Sequence, residues 1–469
     1  MLTRMPFLSS KRILRCLLNF CWASALLSSV SLAGERPHII VMLADDLGWG
    51  DVSYHGEGEI ATPHIDRLAA RGAQLDQFYS QPVCSPTRAA LMTGRYPMRY
   101  GLQCGVVKPW ASHGLPLEEQ TLAVGMKAAG YTTAIVGKWH LGHFEPEYLP
   151  LQRGFDLQYG HYNGALDYFT HDRDGGHDWH RNGQPVYEEG YTTDLMGKEA
   201  ADIIEAHNPD TPLFLYVPFN APHTPLQATQ EQLERNAHIE VKNRRTYAAM
   251  VTSMDDAIGR IVGAANRHLS RENTLIVFFS DNGGLVRFGS NGKLRGEKDT
   301  LYEGGVRVPA IAAWDGTIKA GDVVDEPLHV VDLYPTLLGL AGSTLKQALP
   351  LDGKDAWPSI RSGKSIQRDF LLHNLTPFHG SIRMGDWKLV HNGHAGANER
   401  TAVGGEKWEL FDLSVDPYET TDLSAKRPKE FRRLKAKLAE LSGVASPPHI
   451  APRTIPNKFK VPKIWGHDD

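Results

Sequence analysis

The sequence predicts an α/β fold, with a large, doubly wound and mostly parallel sheet and a smaller C-terminal α+β domain. Between residue 37 and about residue 340, short apolar runs alternate with helical stretches. This order is typical of a parallel sheet that carries helices on both faces. Past about residue 364 the pattern changes to strand-like segments followed by one helix. We therefore expect a large domain over 34–364 and a small one over 365–469.

The composition is that of a folded protein with a large core. Of the 469 residues, 41% are hydrophobic and 22% are charged. These fractions exclude a disordered chain, a collagen and a coiled coil. The end of the chain from Ser446 holds five prolines, so we expect a tail that follows the surface.

Residues 1–33 have the pattern of a secretory signal peptide. Four basic residues and no acid precede an apolar run from Cys16 to Val30, which ends in Ser31-Leu32-Ala33. A membrane anchor is the alternative, but Asn19 and several serines interrupt the run. We expect cleavage after Ala33, a secreted or periplasmic protein, and no stable membrane insertion.

Charge and cysteine content limit the partners of the mature chain. Without its leader the chain has 46 basic residues (50 less four) against 54 acidic ones, a net charge of −8, and it has no long basic run. We therefore expect no nucleic-acid partner, and an anionic substrate must be held by local cations. Only Cys84 and Cys104 remain. They could pair with each other, but two cysteines do not make a disulfide framework.

Apolar runs and helical patterns place the individual elements. Four β-branched or aromatic runs predict buried strands at His38–Ala44, Tyr131–Gly137, Leu213–Phe219 and Thr274–Ser280. Helices are expected over Pro63–Arg71, Thr121–Ala129, Thr193–Ala206, Thr246–His268 and Val331–Ala341. In the small domain, Ser381–Val390 and Trp408–Leu413 are expected as strands of an antiparallel hairpin, followed by a helix over Lys429–Leu441.

Acidic and amide side chains follow the first and fourth predicted strands. Asp45 and Asp46 come after the first strand, and Asp281 and Asn282 come after the fourth. Ligands of a parallel sheet collect at the carboxyl ends of its strands. Adjacent carboxylates repel each other unless a cation lies between them. Four oxygen donors suit Ca²⁺ or Mg²⁺ better than zinc, although an Asp-Asp pair alone is equally compatible with a helix cap and a solvated acid.

Basic side chains follow the second and third strands. Lys138 and His140 are two residues apart on an extended segment, so they share a face and can enter one pocket. His223 lies between Pro222 and Pro225, which stiffen its loop. Turn formation would explain those prolines equally well.

Cys84 is predicted at the start of a short helix. Pro86 suits a first helical turn, and Gly94 can end the helix. The unpaired N–H groups at this end favour an anion, and Arg88 lies four residues on, on the same face. A cysteine in this position also fits a redox or acyl-transfer thiolate, but no protease or thioredoxin pattern accompanies it.

The segment Cys84-Ser85-Pro86-Thr87-Arg88, with Thr93-Gly94-Arg95, resembles the signature of the type I, formylglycine-dependent sulfatases. The resemblance extends from about Pro37 to Leu423, within the alkaline phosphatase-like superfamily. Two segments, Gly101-Leu102-Gln103 and Arg153-Gly154-Phe155-Asp156, are similar to the arylsulfatase B branch, the N-acetylgalactosamine-4-sulfatases.

The resemblance implies a cofactor and a nucleophile. A maturation enzyme would oxidise Cys84 to Cα-formylglycine, whose hydrate attacks the sulfur of a sulfated saccharide. One Ca²⁺ would be bound by Asp45, Asp46, Asp281 and Asn282, with residue 84 as a further ligand. In the same mapping Arg88 and Lys138 hold the hydrate, His140 takes its second proton, and His223 and Lys298 bind sulfate oxygens and protonate the leaving group.

The substrate pocket and the activity leave alternatives. The polar and aromatic stretch 161–181 lies where the family builds its pocket, so His171, Trp179 and His180 are expected to contact a sugar. Cys104 has no role in the motifs and is expected as a buried thiol. The activity implied is that of a calcium-dependent sulfatase acting on a galactose-type 4-sulfate. The alternatives are a phosphodiesterase or phosphonate monoester hydrolase of the same superfamily, and a sulfoglycan-binding protein in which Cys84 is never converted.

Overall fold

A ten-stranded sheet forms the centre of the computed structural model, which describes residue 1 and residues 36–56, 58–345, 348–377, 379–392 and 406–467. Within these ranges the strands are β1 (His38–Ala44), β2 (Ala73–Leu75), β3 (Phe78–Tyr79), β4 (Thr132–Lys138), β5 (Leu157–His161), β6 (Asp172–Arg173), β7 (Gly176–His177), β8 (His180–Arg181), β9 (Gln184–Pro185), β10 (Leu213–Pro218), β11 (Thr274–Ser280), β12 (Ala310–Ala313), β13 (Asp322–Val324), β14 (Leu328–His329), β15 (Leu371–Leu375), β16 (His379–Met384), β17 (Trp387–Asn392) and β18 (Lys407–Asp412). The predicted signal peptide lies outside the described residues, apart from Met1.

The order of the strands brings four loops to one edge of this sheet. The order is β13-β2-β12-β11-β1-β10-β4-β5-β8-β9. Strands β11, β1, β10, β4 and β5 are parallel neighbours, so their carboxyl ends point the same way. Ala44 at the end of β1 pairs with Ser280 at the end of β11. The predicted parallel α/β sheet is confirmed, and β1 and β11 have the predicted bounds.

Helices cover both faces of the sheet. Within the described ranges the α-helices are α1 (Pro63–Arg71), α2 (Cys84–Thr93), α3 (Leu122–Ala128), α4 (Thr192–Ala206), α5 (Gln230–Arg235), α6 (Lys242–His268), α7 (Glu303–Val306), α8 (Leu333–Leu340), α9 (Trp357–Ser362) and α10 (Pro428–Ser442). Alternate residues of β1 enter different cores, Ile39 and Val41 with α2 and α3, and Ile40 and Met42 with α4 and α6. A strand buried on both faces therefore reads as one continuous apolar run. The described helices include none whose length and apolar character would suit a membrane span.

The small antiparallel sheet corrects one predicted strand. Ser381–Val390 is not a single strand, because the chain turns at Gly385 and Asp386 between β16 and β17. Gly385 has φ 63°, a conformation that glycine adopts without strain, and a two-residue loop of this kind closes a hairpin. The complete sheet has the order β15-β16-β17-β18. The prediction of strands in this region is therefore confirmed, but one strand was predicted where the structure has two.

The small sheet is joined to the rest by a shared core. Helix α10 packs against β16 and β17, and Leu372, Ile382, Leu389 and Leu410 lie in the same buried cluster as α2 and α3. Beyond α10, the chain forms backbone hydrogen bonds to distant segments, for example from the Ser446 N–H to the Met98 carbonyl (2.8 Å). The chain from Pro37 onward clusters as one compact unit, and the domain boundary near residue 364 stays a prediction.

Gly137 gives a test of how closely β4 must approach β10. Its φ is 134°, and a Cβ there would lie 2.1 Å from the Pro218 carbonyl oxygen. We expect Gly137→Ala to lower the free energy of unfolding by about 2–3 kcal/mol through steric overlap and backbone strain, measured by chemical denaturation. The matched control is Gly339→Ala in α8, where a Cβ meets no atom within 4 Å. We expect that control to be neutral or stabilising by up to about 1 kcal/mol; equal losses in both variants would contradict the assignment.

Candidate active site

The loops after β1, β4, β10 and β11 meet the first turn of α2 at the floor of a cavity of about 520 Å³. Cys84, His140, His223 and Lys298 line this cavity. The Cys84 sulfur lies 3.3 Å from Asp45 Oδ1 and 4.0 Å from an Asp46 oxygen. The structure thus brings the predicted strand-end residues together around Cys84.

The acidic loop tips are interlocked by hydrogen bonds. Asp46 has φ 65°, and its backbone N–H donates to Asp281 Oδ1 (3.1 Å). The Asn282 amide nitrogen donates to Asp46 Oδ1 (2.8 Å). Asp45, Asp46, Asp281 and Asn282 are all fully buried or nearly so. The two loops therefore present one cluster of oxygen atoms.

Each carboxylate of the cluster has its own cation. Lys138 Nζ lies 2.5 Å from Asp45, Lys298 Nζ lies 2.6 Å from Asp46, and Arg88 Nη2 lies 2.9 Å from Asp281. Burial alone would raise the pKa of Asp46, but Lys298 and His223 hold that pKa well below its usual range. Burial and the neighbouring Asp45 raise the pKa of Asp281 to about 6. The cations around the cluster therefore compensate the negative charge of Asp281 only in part.

The donor set of this cluster fits a divalent cation. Asn282 Oδ1 is buried and has no hydrogen-bond partner among the described residues, which is a costly arrangement unless another group takes that oxygen. Ligand atoms of Asp45, Asp46, Cys84 and His223 all lie within 4.8 Å of one another. Three carboxylates and an amide oxygen are hard donors of the kind that Ca²⁺ and Mg²⁺ prefer. The oxygen atoms of Asp45, Asp46, Asp281 and Asn282 can therefore hold a metal ion.

Cys84 is the first residue of α2, as predicted, and only 1% of it is exposed. Its sulfur lies 3.5 Å from Lys298 Nζ. Burial, Asp281 and Asp45 raise the pKa of the thiol well above its usual value. The next residue, Ser85, donates a hydrogen bond to the His140 carbonyl (2.9 Å) and accepts one from the Val107 N–H (3.1 Å). The helix start is thereby fixed to the loop that carries His140.

His140 turns into the cavity floor through an unusual backbone conformation, φ 59°. Its Nε2 lies 3.0 Å from the Val107 carbonyl oxygen, while its buried Nδ1 has no hydrogen-bond partner among the described residues. Burial, with Lys138 and Arg88, lowers the pKa of the ring well below its usual value. A Cβ on Gly164 would lie 2.4 Å from the ring. His140 is thus a neutral, tightly packed side chain.

His223 approaches the cluster from the loop after β10. Its Nε2 lies 3.7 Å from Asp46 Oδ2, and its Nδ1 lies 2.6 Å from the Thr224 carbonyl oxygen. Burial lowers the pKa of this ring to about 3. The Tyr168 hydroxyl contacts the backbone carbonyls of Asn220 and His223 (2.6 and 2.8 Å), which fixes the loop.

Three residues expected to contact a sugar do not line the cavity. Trp179 and His180 are 0% exposed and His171 is 1% exposed. The Trp179 indole donates to Glu188 (2.9 Å) and stacks on His171. These side chains support the wall from inside, and the residues of this stretch that line the cavity are Gly164, Ala165 and Arg173. Direct contact between the three rings and a sugar stays a prediction.

Cys104 differs from its expected place. It is half-buried and lines the cavity instead of lying in the core. Neither it nor Cys84 is in a disulfide. Cys104 belongs to a loop without apolar periodicity, so its burial could not be inferred from local sequence.

The upper wall of the cavity comes from segments that the sequence did not assign to the site. One is the loop 103–109; others are Asn374, Thr376 and His379 of the small sheet, and Arg453 of the tail. None of them follows a strand of the parallel sheet, which was the signal used to find the other residues. Their positions depend on how the small sheet and tail pack.

Comparison with known proteins decides the family. The family model described as Sulfatase matches residues 37–343, a span that contains every predicted catalytic and metal-binding residue. The chain belongs to the sulfatase family. It is 36% identical to arylsulfatase J of Mus musculus, over 89% of this chain and 78% of that protein. It is 35% identical to N-acetylgalactosamine-6-sulfatase of Homo sapiens, over 73% of this chain and 69% of that one.

A solved structure agrees with the fold of this sulfatase. The crystal structure of Ps i-CgsB in complex with k-i-k-neocarrahexaose has a TM-score of 0.80 and 34% sequence identity, covering 88% of this chain and 95% of that chain. The family predicted from the Cys84 signature is thereby confirmed, and with it the assignment of the chain as a sulfatase enzyme.

The acidic cluster predicts a stabilising effect of divalent cations on this sulfatase. A ligand that binds only the folded state at a hundred times its Kd adds about 2.7 kcal/mol. We expect added Ca²⁺ to raise the melting temperature of the metal-stripped protein, and Asp281→Asn to remove most of that rise. The control is Asp256→Asn, from a separate acidic group formed with His64 and Asp255, which should keep the full rise. An unchanged wild-type melting temperature would contradict the metal assignment.

Proposed function

We propose that the protein hydrolyses the sulfate esters of a carbohydrate and releases inorganic sulfate, with a galactose or N-acetylgalactosamine ring sulfated at O4 as the preferred substrate. The observation that carries this proposal is the position of Cys84 at the start of α2, 3.3 Å from Asp45 of the acidic loop after β1 and 3.5 Å from Lys298 of the segment after β11. An N-acetylgalactosamine-6-sulfatase among the relatives, and a neighbour solved with k-i-k-neocarrahexaose, support a carbohydrate substrate, although the name of that relative specifies O6 and not O4. The arylsulfatase B-like segments support O4, and Gln103 of the first segment lines the cavity.

The proposal includes two groups that the chain acquires. Asp45, Asp46, Asp281 and Asn282 would bind Ca²⁺, with residue 84 beside them. A bound calcium ion supplies positive charge that offsets the anionic oxygens of the ester. Cys84 would be oxidised by a maturation enzyme to formylglycine, and the hydrated aldehyde supplies a hydroxyl nucleophile that a thiol lacks. Export through the leader predicted over residues 1–33 would place the mature enzyme in the periplasm or outside the cell.

The cations of the site prepare an anionic ester for attack. A sulfate monoester repels nucleophiles because its oxygens carry negative charge, so positive groups must surround it. Arg88 and Lys138 are fully buried against Asp281 and Asp45, which fixes them as positioning groups beside residue 84. Lys298 lines the cavity and is partly exposed. It is therefore the lysine that contacts a sulfate oxygen directly.

His140, His223 and Lys298 would have different roles in proton transfer. The low pKa of His140 keeps its ring neutral, and its Nδ1, which has no hydrogen-bond partner among the described residues, would be the atom that accepts a proton from residue 84 once that residue is converted. Burial alone would lower the pKa of Lys298, but Asp46 raises it well above the usual value. Lys298 is therefore protonated and can donate to the leaving alcohol. An anionic ester beside His223 would raise the pKa of that ring from its low value of about 3, and on this ground we propose His223 as a second donor.

Substitution of Cys84 tests the nucleophile. Cys84→Ala should lower kcat for sulfate release by roughly 10⁴-fold or more, as removal of a nucleophile does in other hydrolases, while substrate binding is kept. Sulfate release is measured by ion chromatography and binding by calorimetry. The matched control is Cys104→Ala, the other cysteine of the cavity, which should keep most of the activity.

Two observations would contradict the Cys84 assignment. One is full activity of Cys84→Ala, and the other is an unmodified thiol at residue 84, by peptide mass spectrometry, in active protein from its native host. Binding without turnover by the wild-type protein would favour a sulfoglycan-binding role. Faster hydrolysis of phosphate diesters than of aryl sulfates would favour a phosphodiesterase.

Ring position is tested with two isomers. We expect kcat/KM on N-acetylgalactosamine 4-sulfate to exceed that on the 6-sulfate by at least about tenfold, because one misplaced sulfate loses its contacts with Lys298 and His223. The same assay on galactose 4-sulfate shows whether the acetamido group contributes. Preference for the 6-sulfate would overturn the O4 assignment and leave the sulfatase assignment intact.

A further inference from the structure

The outer part of the cavity carries three cations from three separate segments of the chain. Lys108 comes from the loop 103–109, Arg173 from β6 and Arg453 from the tail. Asp299 is the one acidic side chain among the described residues that line the cavity. The whole chain has a net charge of −4. A positive cavity mouth in a negative protein concentrates anions there.

These three residues are separate from the cations of the floor. Arg88, Lys138 and Lys298 contact the buried carboxylates directly, and their side chains are between 0% and 11% exposed. Lys108 and Arg173 are half-buried, and Arg453 is exposed. Arg173 forms an ion pair with Asp174 of its own hairpin at 3.1 Å, and the two side chains are 28% and 34% exposed. Exposure therefore rises from the floor to the mouth.

The tail after α10 fixes two of the three cations. Its backbone binds the loop before α3 through the His449 N–H and the Gly101 carbonyl (2.8 Å). The Trp110 indole donates to the Pro452 carbonyl (2.7 Å), one residue before Arg453.

Further along the tail, Trp465 is 2% exposed, and its indole donates to the Arg173 carbonyl (2.9 Å). The same segment pairs with the neighbouring hairpin, where the His177 N–H donates to the Lys463 carbonyl (2.9 Å). The tail thus contacts both the loop next to Lys108 and the hairpin of Arg173, and these contacts hold the backbones of Arg453 and Arg173 in place.

We propose that Lys108, Arg173 and Arg453 bind a second anionic group of the substrate, so that the enzyme prefers an oligosaccharide with an acidic group on the unit next to the sulfated ring. The inference rests on the proposed function, because the ester to be cleaved must occupy the floor at residue 84. Two guanidinium groups and an ammonium group match the oxygens of a sulfate or a carboxylate. Lys108, Arg173 and Arg453 are therefore specificity-determining residues.

The test uses three disaccharides that share the ring to be desulfated and differ in the neighbouring unit, which carries a sulfate, a carboxylate or no charge. We expect wild-type kcat/KM to be about tenfold higher on each charged disaccharide than on the neutral one, mainly through KM, since several partly exposed ion pairs each contribute modestly. The ratio should fall as salt is raised. The sulfate and carboxylate substrates show which acid is preferred.

Substitutions of Lys108 and Arg453 test whether these residues cause the preference for charged disaccharides. Lys108→Ala combined with Arg453→Ala should bring the charged-to-neutral ratio close to one. Arg453→Glu, which also removes two units of positive charge, should lower the ratio to a similar extent, and Arg453→Lys should keep most of it. Lys458→Ala, an exposed tail lysine that does not line the cavity, is the matched control and should keep the wild-type ratio. A wild-type ratio near one, or a ratio kept in the double variant, would overturn the inference. No sulfate release from any of the three disaccharides would instead count against the proposed function.

Discussion

The site depends on the burial of three carboxylates at one edge of a parallel sheet. Burying an ionised carboxylate without compensation is very costly, and in practice such groups are paired or bind metals. Here Asp45, Asp46 and Asp281 each have a cationic side chain within 2.9 Å. Asn282 adds an amide oxygen that no described residue satisfies. The paired cations therefore offset the cost of burying the carboxylates, and the same charge pattern defines where a divalent ion and an anionic ester can be held.

Close backbone approach makes this cluster possible. A Cβ on Gly283 would lie 1.8 Å from the Gly304 carbonyl oxygen, so the loop that carries Asp281 and Asn282 packs directly on the backbone of α7. Gly137 allows a similar contact between β4 and β10, next to Lys138. The predicted site residues Lys138, Asp281 and Asn282 are thus next to glycines that let their loops meet, which is a constraint of packing.

The floor and the mouth of the cavity are built by different segments of the chain. The floor is built by the strand ends and by α2, whereas the mouth is built by the loop 103–109, the small sheet and the tail. Only the floor must preserve a fixed arrangement of charges around residue 84. We expect the mouth to tolerate substitution better than the floor, because loops held on a rigid scaffold tolerate change better than buried charges do. On the function proposed above, the residues that select the substrate and the residues that act on the sulfate ester would therefore lie in different segments.

The sequence by itself determined the mostly parallel sheet, the bounds of β1 and β11, and the positions of the acidic and basic residues at the strand ends. These features are local, since a strand buried on both faces is apolar throughout and its last residue fixes where the reactive loop begins. The Cys84 signature added the family.

Tertiary structure alone decided that Trp179 is buried in the wall, that the chain turns at Gly385, and that Arg453 reaches the cavity. The contact between Trp110 and Pro452 joins residues 342 positions apart. Such a contact leaves no periodic pattern in either segment, because it is the packing of the small sheet and the tail on the large sheet that brings the two segments together.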